Sequence, residues 1–249
     1  MKTKLSMIVV ALFVSFSVAA QTAEEILDTY FENIGGVEAL SKVEGIKMTA
    51  KVNAQGMEIP VEVIQLKDGR EATSFELQGK RLNQEVFDGE TQWGNNFMTM
   101  EAEKSDSETI ENVKRAAKDD FPAPLFNYKA NGHTIELLEK ETVEGTECFK
   151  IKVTKNPVLV DGKEEENIEF YYFDTDNFVP VMSESEAKIG QAKGMKIQTI
   201  YSDYQEVEGI YFPFSIGNKF NGQTGQAINI QTVELNPEVD DTIFAFPAE

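Results

Sequence analysis

The chain has 249 residues, 41% of them hydrophobic, and 23 basic against 43 acidic side chains, a net charge of −20. Such an acidic surface repels phosphates and excludes nucleic acid as a partner, and it disfavours docking on strongly anionic lipid. Cys148 is the only cysteine, so no internal disulfide forms; in Cys148-Phe149-Lys150-Ile151 it reads as a small buried hydrophobe.

In chain order, Lys2 and Lys4 precede an apolar run from Met7 to Val14, and Val18-Ala19-Ala20 supplies small residues for a signal peptidase. Residues 1–20 are therefore expected to be a signal peptide, with cleavage before Gln21. The apolar run is shorter than the about 20 residues that span a bilayer. No cysteine stands at the cleavage site to carry acyl chains, and no second long apolar segment follows. The expectation is an exported, soluble, unanchored chain with one domain over residues 21–249.

Thr22-Ala-Glu-Glu25 is a capping box, and Ile26, Leu27, Tyr30, Phe31 and Ile34 recur at helical spacing until Gly35-Gly36. A second helix is predicted from Ser107 to Lys118, capped by Ser105 and Glu108, with Ile110, Val113 and Ala117 as a narrow apolar stripe. Nearly everything else alternates with period two: Met57 to Val63, Ile168 to Tyr172, Ile197 to Tyr201, Ile210 to Ile216 and Ile228 to Thr232. Asp68-Gly69, Asp88-Gly89, Glu144-Gly145, Asp161-Gly162 and Glu208-Gly209 mark the turns of an antiparallel meander. Pro60 and Pro213 inside strands predict edges or bulges. Two modest helices cannot cover so many strand faces. The strands either pack as a filled sandwich or curl around the helices and leave an apolar interior.

Three stretches resemble the periplasmic lipoprotein-carrier (LolA-like) superfamily. Ala23 to Tyr30 with Ile34-Gly-Gly-Val-Glu-Ala-Leu40 is similar to its opening helix. Val86-Phe-Asp-Gly-Glu-Thr-Gln-Trp93 is similar to its strand-turn-strand signature, and Val239 to Pro247 to its closing strand. Tyr201-Ser-Asp-Tyr204 and Val207 to Phe214 resemble the outer-membrane lipoprotein-sorting subgroup. The resemblance implies a mainly β fold, an unclosed antiparallel β-barrel wrapped over a few α-helices. It also implies a periplasmic carrier, monomeric and without cofactor, that takes acyl chains of lipoproteins or lipids from an inner-membrane donor toward an outer-membrane receptor. The family's lipoprotein carrier has a strand arginine that helps hold its helical lid closed; Lys67 stands nearest here and offers a point charge instead of a planar fork.

Met48, Phe75, Val86, Trp93, Phe170, Tyr172, Tyr201, Phe212 and Phe214 are the expected apolar wall. Phe97, Met98 and Met100 are the expected flap, and Ile110 and Val113 the cavity face of a helical lid. Asp174-Thr-Asp176-Asn177 lacks the glycine and distal glutamate of a calcium loop and reads as a plain turn. With one histidine, His133, and no Gly-x-Ser-x-Gly elbow or phosphate-cradling loop, no catalytic residues or metal ligands are expected. The competing expectation is an interaction module of the same fold with a filled core. An exported hydrolase using paired carboxylates ranks below both.

Overall fold

The computed structural model describes residues 21–54, 57–77, 79–190 and 192–247; the predicted signal peptide lies outside them. Thr22 caps helix α1 (Ala23–Asn33) through the reciprocal capping box with Glu25 that the sequence predicts. A one-turn helix α2 (Val37–Ser41) follows. Gly35 between them has φ +131°, and a Cβ there would meet the Gly209 carbonyl at 2.6 Å, so only glycine allows α1 to end against that turn.

The strands are β1 (Gly45–Ala54), β2 (Met57–Leu66), β3 (Glu71–Leu77), β4 (Lys80–Phe87), β5 (Gln92–Asn95), β6 (Ala102–Lys104), β7 (Thr134–Leu137), β8 (Glu141–Val143), β9 (Thr146–Val160), β10 (Lys163–Asp174), β11 (Pro180–Glu186), β12 (Lys196–Val207), β13 (Ile210–Phe220) and β14 (Gln223–Leu235). They form one antiparallel sheet in the order β6-β5-β4-β3-β2-β1-β14-β13-β12-β11-β10-β9-β7, with β8 also paired to β9. The path does not return on itself, so the barrel is unclosed. No helix among the described residues is long and apolar enough to cross a membrane.

Glycines 69, 89, 145, 162 and 209 all sit at positive φ, as the turn signals require. Pro60 lies where the β2–β3 ladder has already ended at Val61 and Phe75. Pro213 lies beyond the β14 pairing and opposite Tyr204, beside the positive-φ Asp203, so neither proline interrupts a ladder that needs its missing N–H.

One core cluster joins α1 to residues of β1, β9, β10 and β13, strands far apart in the sheet order, so the sheet must curve around the helix. Ile26, Leu27, Tyr30 and Ile34 meet Ile46, Ile151, Tyr171, Phe173, Ile210 and Phe212. Phe121, Leu125 and Tyr128, from the segment just before β7, complete the plug.

The hairpins alternate between two rims. The turns β2–β3, β4–β5, β10–β11 and β12–β13 share the proximal rim with the end of α1, where the Tyr211 N–H donates to the Ile34 carbonyl at 2.9 Å. The turns β1–β2, β3–β4, β5–β6, β9–β10, β11–β12 and β13–β14 share the distal rim.

Helix α3 (Ser107–Ala116) is capped by Asp106, which accepts from the Glu108 and Thr109 N–H groups, instead of by Ser105. It bridges the seam between the sheet's two ends. Asn112 exchanges two hydrogen bonds with the Leu159 backbone, at 2.7 and 2.9 Å, and Glu108 accepts from the Asp161 and Gly162 N–H groups. On the other side, Lys114 pairs with Glu90 of the β4–β5 turn.

The expected closing strand is absent. Residues 241–243 form a 3₁₀ turn capped by Asp240, and the segment lies across the sheet's outer face.

Candidate functional site

Cross-strand partners share a face, so the register assigns every side chain to the concave or the convex side. Ile46, packed against α1, marks the concave face. The ladder then gives one continuous row over five strands: Ile59, Val52, Ile228, Ile216 and Tyr201, on β2, β1, β14, β13 and β12. A neighbouring row runs Phe75, Val61, Ala50 and Ile230. Ala50 and Ile230 are buried, whereas Val52, Ile59, Val61, Phe75, Ile216 and Ile228 are only half-buried. They lie toward the distal rim, beyond the reach of the α1 plug. Strands about 4.8 Å apart make a five-strand row roughly 19 Å long, the scale of a long acyl chain.

Of the nine expected wall residues, Met48, Phe75, Tyr201, Phe212 and Phe214 lie on this concave face. Phe212 is in the α1 core, and Met48 and Phe214 are packed against it. The Tyr201 hydroxyl is 3.2 Å from that of Ser183, and burial pushes its pKa up.

The other four lie on the convex face. Lys47 faces Ile64, Ile64 faces Ala72, Ala72 faces Val86, and Val86 faces Trp93, a row on the opposite side from Ile46. Phe244 and Phe246 cover it; the Trp93 indole N–H donates to the Phe244 carbonyl at 3.0 Å, and Arg70 stacks over the Phe244 ring. Tyr172 faces Met182 and Phe170 faces Glu184, on the outside of β10; Val143 of β8 and Cys148 help bury Tyr172. Burial pushes the Cys148 thiol up to about 11, as for an inert core cysteine.

Phe97 and Met98 are 61% and 92% exposed at the tip of the β5–β6 hairpin, and the Phe97 ring lies 5.8 Å from that of Phe75. Ile110 and Val113 are half-buried in the seam-bridging helix. Lys67 donates to Glu44 at 2.6 Å and to the Ser41 carbonyl at 3.1 Å, tying the end of α2 to the β2–β3 turn. A cleft of about 510 Å³ lies on the convex side, walled by Ile168 and Phe170 together with Glu165, Glu184, Lys188 and Lys196, whose charges would lose water against a hydrocarbon. Asp174 accepts from the Asp176 and Asn177 N–H groups, which makes the acidic loop a turn. No group of acids, histidine and cysteine suited to a metal ion occurs among the described residues.

Polar groups missed by the sequence reading anchor the plug. Lys155, on the concave face of β9, bridges Asp120 and Glu169 at 2.9 Å each. Beside it, buried Asp119 lies 3.3 Å from buried His133 Nε2, which has no hydrogen-bond partner. Burial lifts Asp119 to about 6 despite Lys155, and burial lowers His133. Because the folded pKa of Asp119 lies above the ordinary aspartate value of 3.8, its favourable contribution is present at acidic pH and is lost as pH rises through about 6. Asp119→Asn is expected to raise stability at pH 8 by about 1–3 kcal/mol, since a neutral amide removes the cost of burying the carboxylate charge and still accepts from Asn131. Thermal melts from pH 5 to 8 check this; a variant less stable than the parent at pH 8 contradicts it.

No family model matches the chain, and no curated protein matches it. Solved structures do. A LolA superfamily protein from Nitrosomonas europaea is 14% identical, with a TM-score of 0.55 over 91% of this chain and 98% of that one. A DUF1329 family protein from Desulfovibrio piger is 13% identical, with a TM-score of 0.54 over 88% and 97%. A putative outer membrane lipoprotein-sorting protein domain from Vibrio parahaemolyticus is 8% identical, with a TM-score of 0.53 over 88% and 94%. The curved, unclosed antiparallel sheet around α1, matched over nearly the whole length of these proteins, gives this chain the LolA-like fold.

Proposed function

We propose that the protein is an exported, single-domain carrier, monomeric and not an enzyme, that shields an acyl chain of a lipid or lipoprotein on its concave face during transfer across the periplasm toward the outer membrane. The row from Ile59 to Tyr201 carries this reading: five strands contribute apolar side chains to one face, and several stay half-exposed where a filled core would bury them. The likeness in fold to lipoprotein-sorting and LolA superfamily proteins supports it. Burial of hydrocarbon supplies about 0.8 kcal/mol per methylene, so about eight methylenes contribute roughly 6 kcal/mol, enough for reversible capture. Release then needs a receptor or membrane that offers the chain equal burial.

Native mass spectrometry of the chain from Gln21, with and without added fatty acid or lipopeptide, tests the proposal. One bound acyl chain per protein is expected. Repeated absence of bound lipid and of uptake overturns it in favour of an interaction module.

A further inference from the structure

The large apolar side chains that the protein leaves exposed are not scattered. Met57 stands at the β1–β2 turn, Phe97, Met98 and Met100 at β5–β6, Ile189 and Met195 at β11–β12, and Phe220 at β13–β14. All four hairpins belong to the distal rim. Among the described residues, only Val37 and Tyr211 are exposed large hydrophobics at the other end. Single exposed hydrophobes are ordinary; seven sharing the turns of one rim are not.

Charge follows the same division. The described residues of the six distal hairpin tips, 51–54 with 57–60, 76–77 with 79–82, 95–103, 160–167, 186–190 with 192–196, and 218–225, hold eight bases against nine acids, in a chain whose balance is −20. The β11–β12 tip alone has Lys188, Lys193 and Lys196 against Glu186. The proximal end carries the acid excess: its turns over residues 66–71, 87–92, 173–180 and 206–210 hold two bases against eight acids, and no base occurs from Glu234 to the end of the chain. The apolar crown therefore sits where the acidic surface is locally neutralised, and a bilayer with some anionic lipid repels the opposite end most. The crown is also continuous with the candidate site, since Phe97 lies against Phe75 of the concave face.

We propose that the distal rim docks reversibly on a lipid bilayer, with the turn-tip methionines and phenylalanines at the headgroup boundary and the acidic proximal end pointing away. The inference rests on the acyl-carrier reading only for its purpose, to open the concave face onto the membrane; the docking itself is independent of bound cargo. Attraction through apolar tips against a net repulsive charge has a distinctive signature: salt strengthens binding, whereas it weakens binding through basic patches.

Flotation with vesicles of phosphatidylethanolamine and phosphatidylglycerol tests this, using the chain from Gln21. The parent is expected to float with the vesicles, more so at high salt. Met57→Asp, Met98→Asp and Met195→Asp together are expected to cut the bound fraction about tenfold, with an unchanged melting temperature because all three side chains are exposed. Val37→Asp with Tyr211→Asp, at the proximal end, is expected to leave it unchanged. A parent that does not float, a distal variant that floats as well as the parent, or a vesicle-free dimer dissolved by the distal substitutions overturns the proposal; the last assigns the rim to a second copy. Fatty-acid uptake without flotation leaves the carrier reading standing and rejects the docking, and flotation without uptake does the reverse.

Discussion

Replacing Phe173 by alanine is expected to lower the unfolding free energy by about 3–5 kcal/mol. The residue is fully buried, its ring meets that of Tyr30 edge-on at 5.3 Å, and it neighbours the Tyr171 ring at 6.3 Å. It thus joins β10 to α1 at the centre of the plug, and α1 cannot collapse into the space because Ile34 and Gly35 are fixed against the β12–β13 turn. Domains of this kind are stable by about 5–15 kcal/mol, so the loss is roughly a fifth of the total or more. Urea unfolding measures it as a lower midpoint at unchanged slope. A loss below about 1 kcal/mol would contradict the picture of α1 as the element around which the sheet curves.

The second large effect concerns binding. Ile228→Asp puts a carboxylate in the middle of the concave row, between Val52 and Ile216. Burying an ionised group against hydrocarbon costs far more than a few methylenes return, so acyl-chain affinity should fall by more than about tenfold. Stability should change little, because Ile228 is half-exposed. Asn229→Asp, one residue along on the convex face beside Lys51, adds the same charge and is expected to leave uptake unchanged. Equal loss in both variants would mean that net charge, and not the concave row, governs binding.

The secondary structure was largely legible in the sequence. The capping box at Thr22, the period-two strands and the glycine turns are local signals, and each appears where its chemistry places it. The face on which a side chain lies was not legible for part of the site. Alternation marks two faces without saying which one is inside, and Tyr171-Tyr172-Phe173 is buried on both. Val86 and Trp93 are apolar because the C-terminal segment crosses the outer surface and presses Phe244 and Phe246 onto them; Tyr172 is buried beneath β8. Those are contacts between residues far apart in sequence. The only hint was Phe244-Ala-Phe246 itself, an alternating pair at the end of the chain that resembled a strand and instead follows a turn capped by Asp240. The Lys155–Asp120–Glu169 bridge was invisible for the same reason: among 43 acids, no spacing singles out two that converge on one lysine.

Site-resolved photo-crosslinking with a diazirine-labelled palmitate tests the central claim most directly. Crosslinks are expected on the concave, distal half of β1, β2, β13 and β14, at Val52, Ile59, Val61, Ile216 and Ile228, and unlabelled palmitate should compete them away. Crosslinks confined to the convex cleft around Phe170 and Glu184, or labelling that palmitate does not compete, would contradict the account.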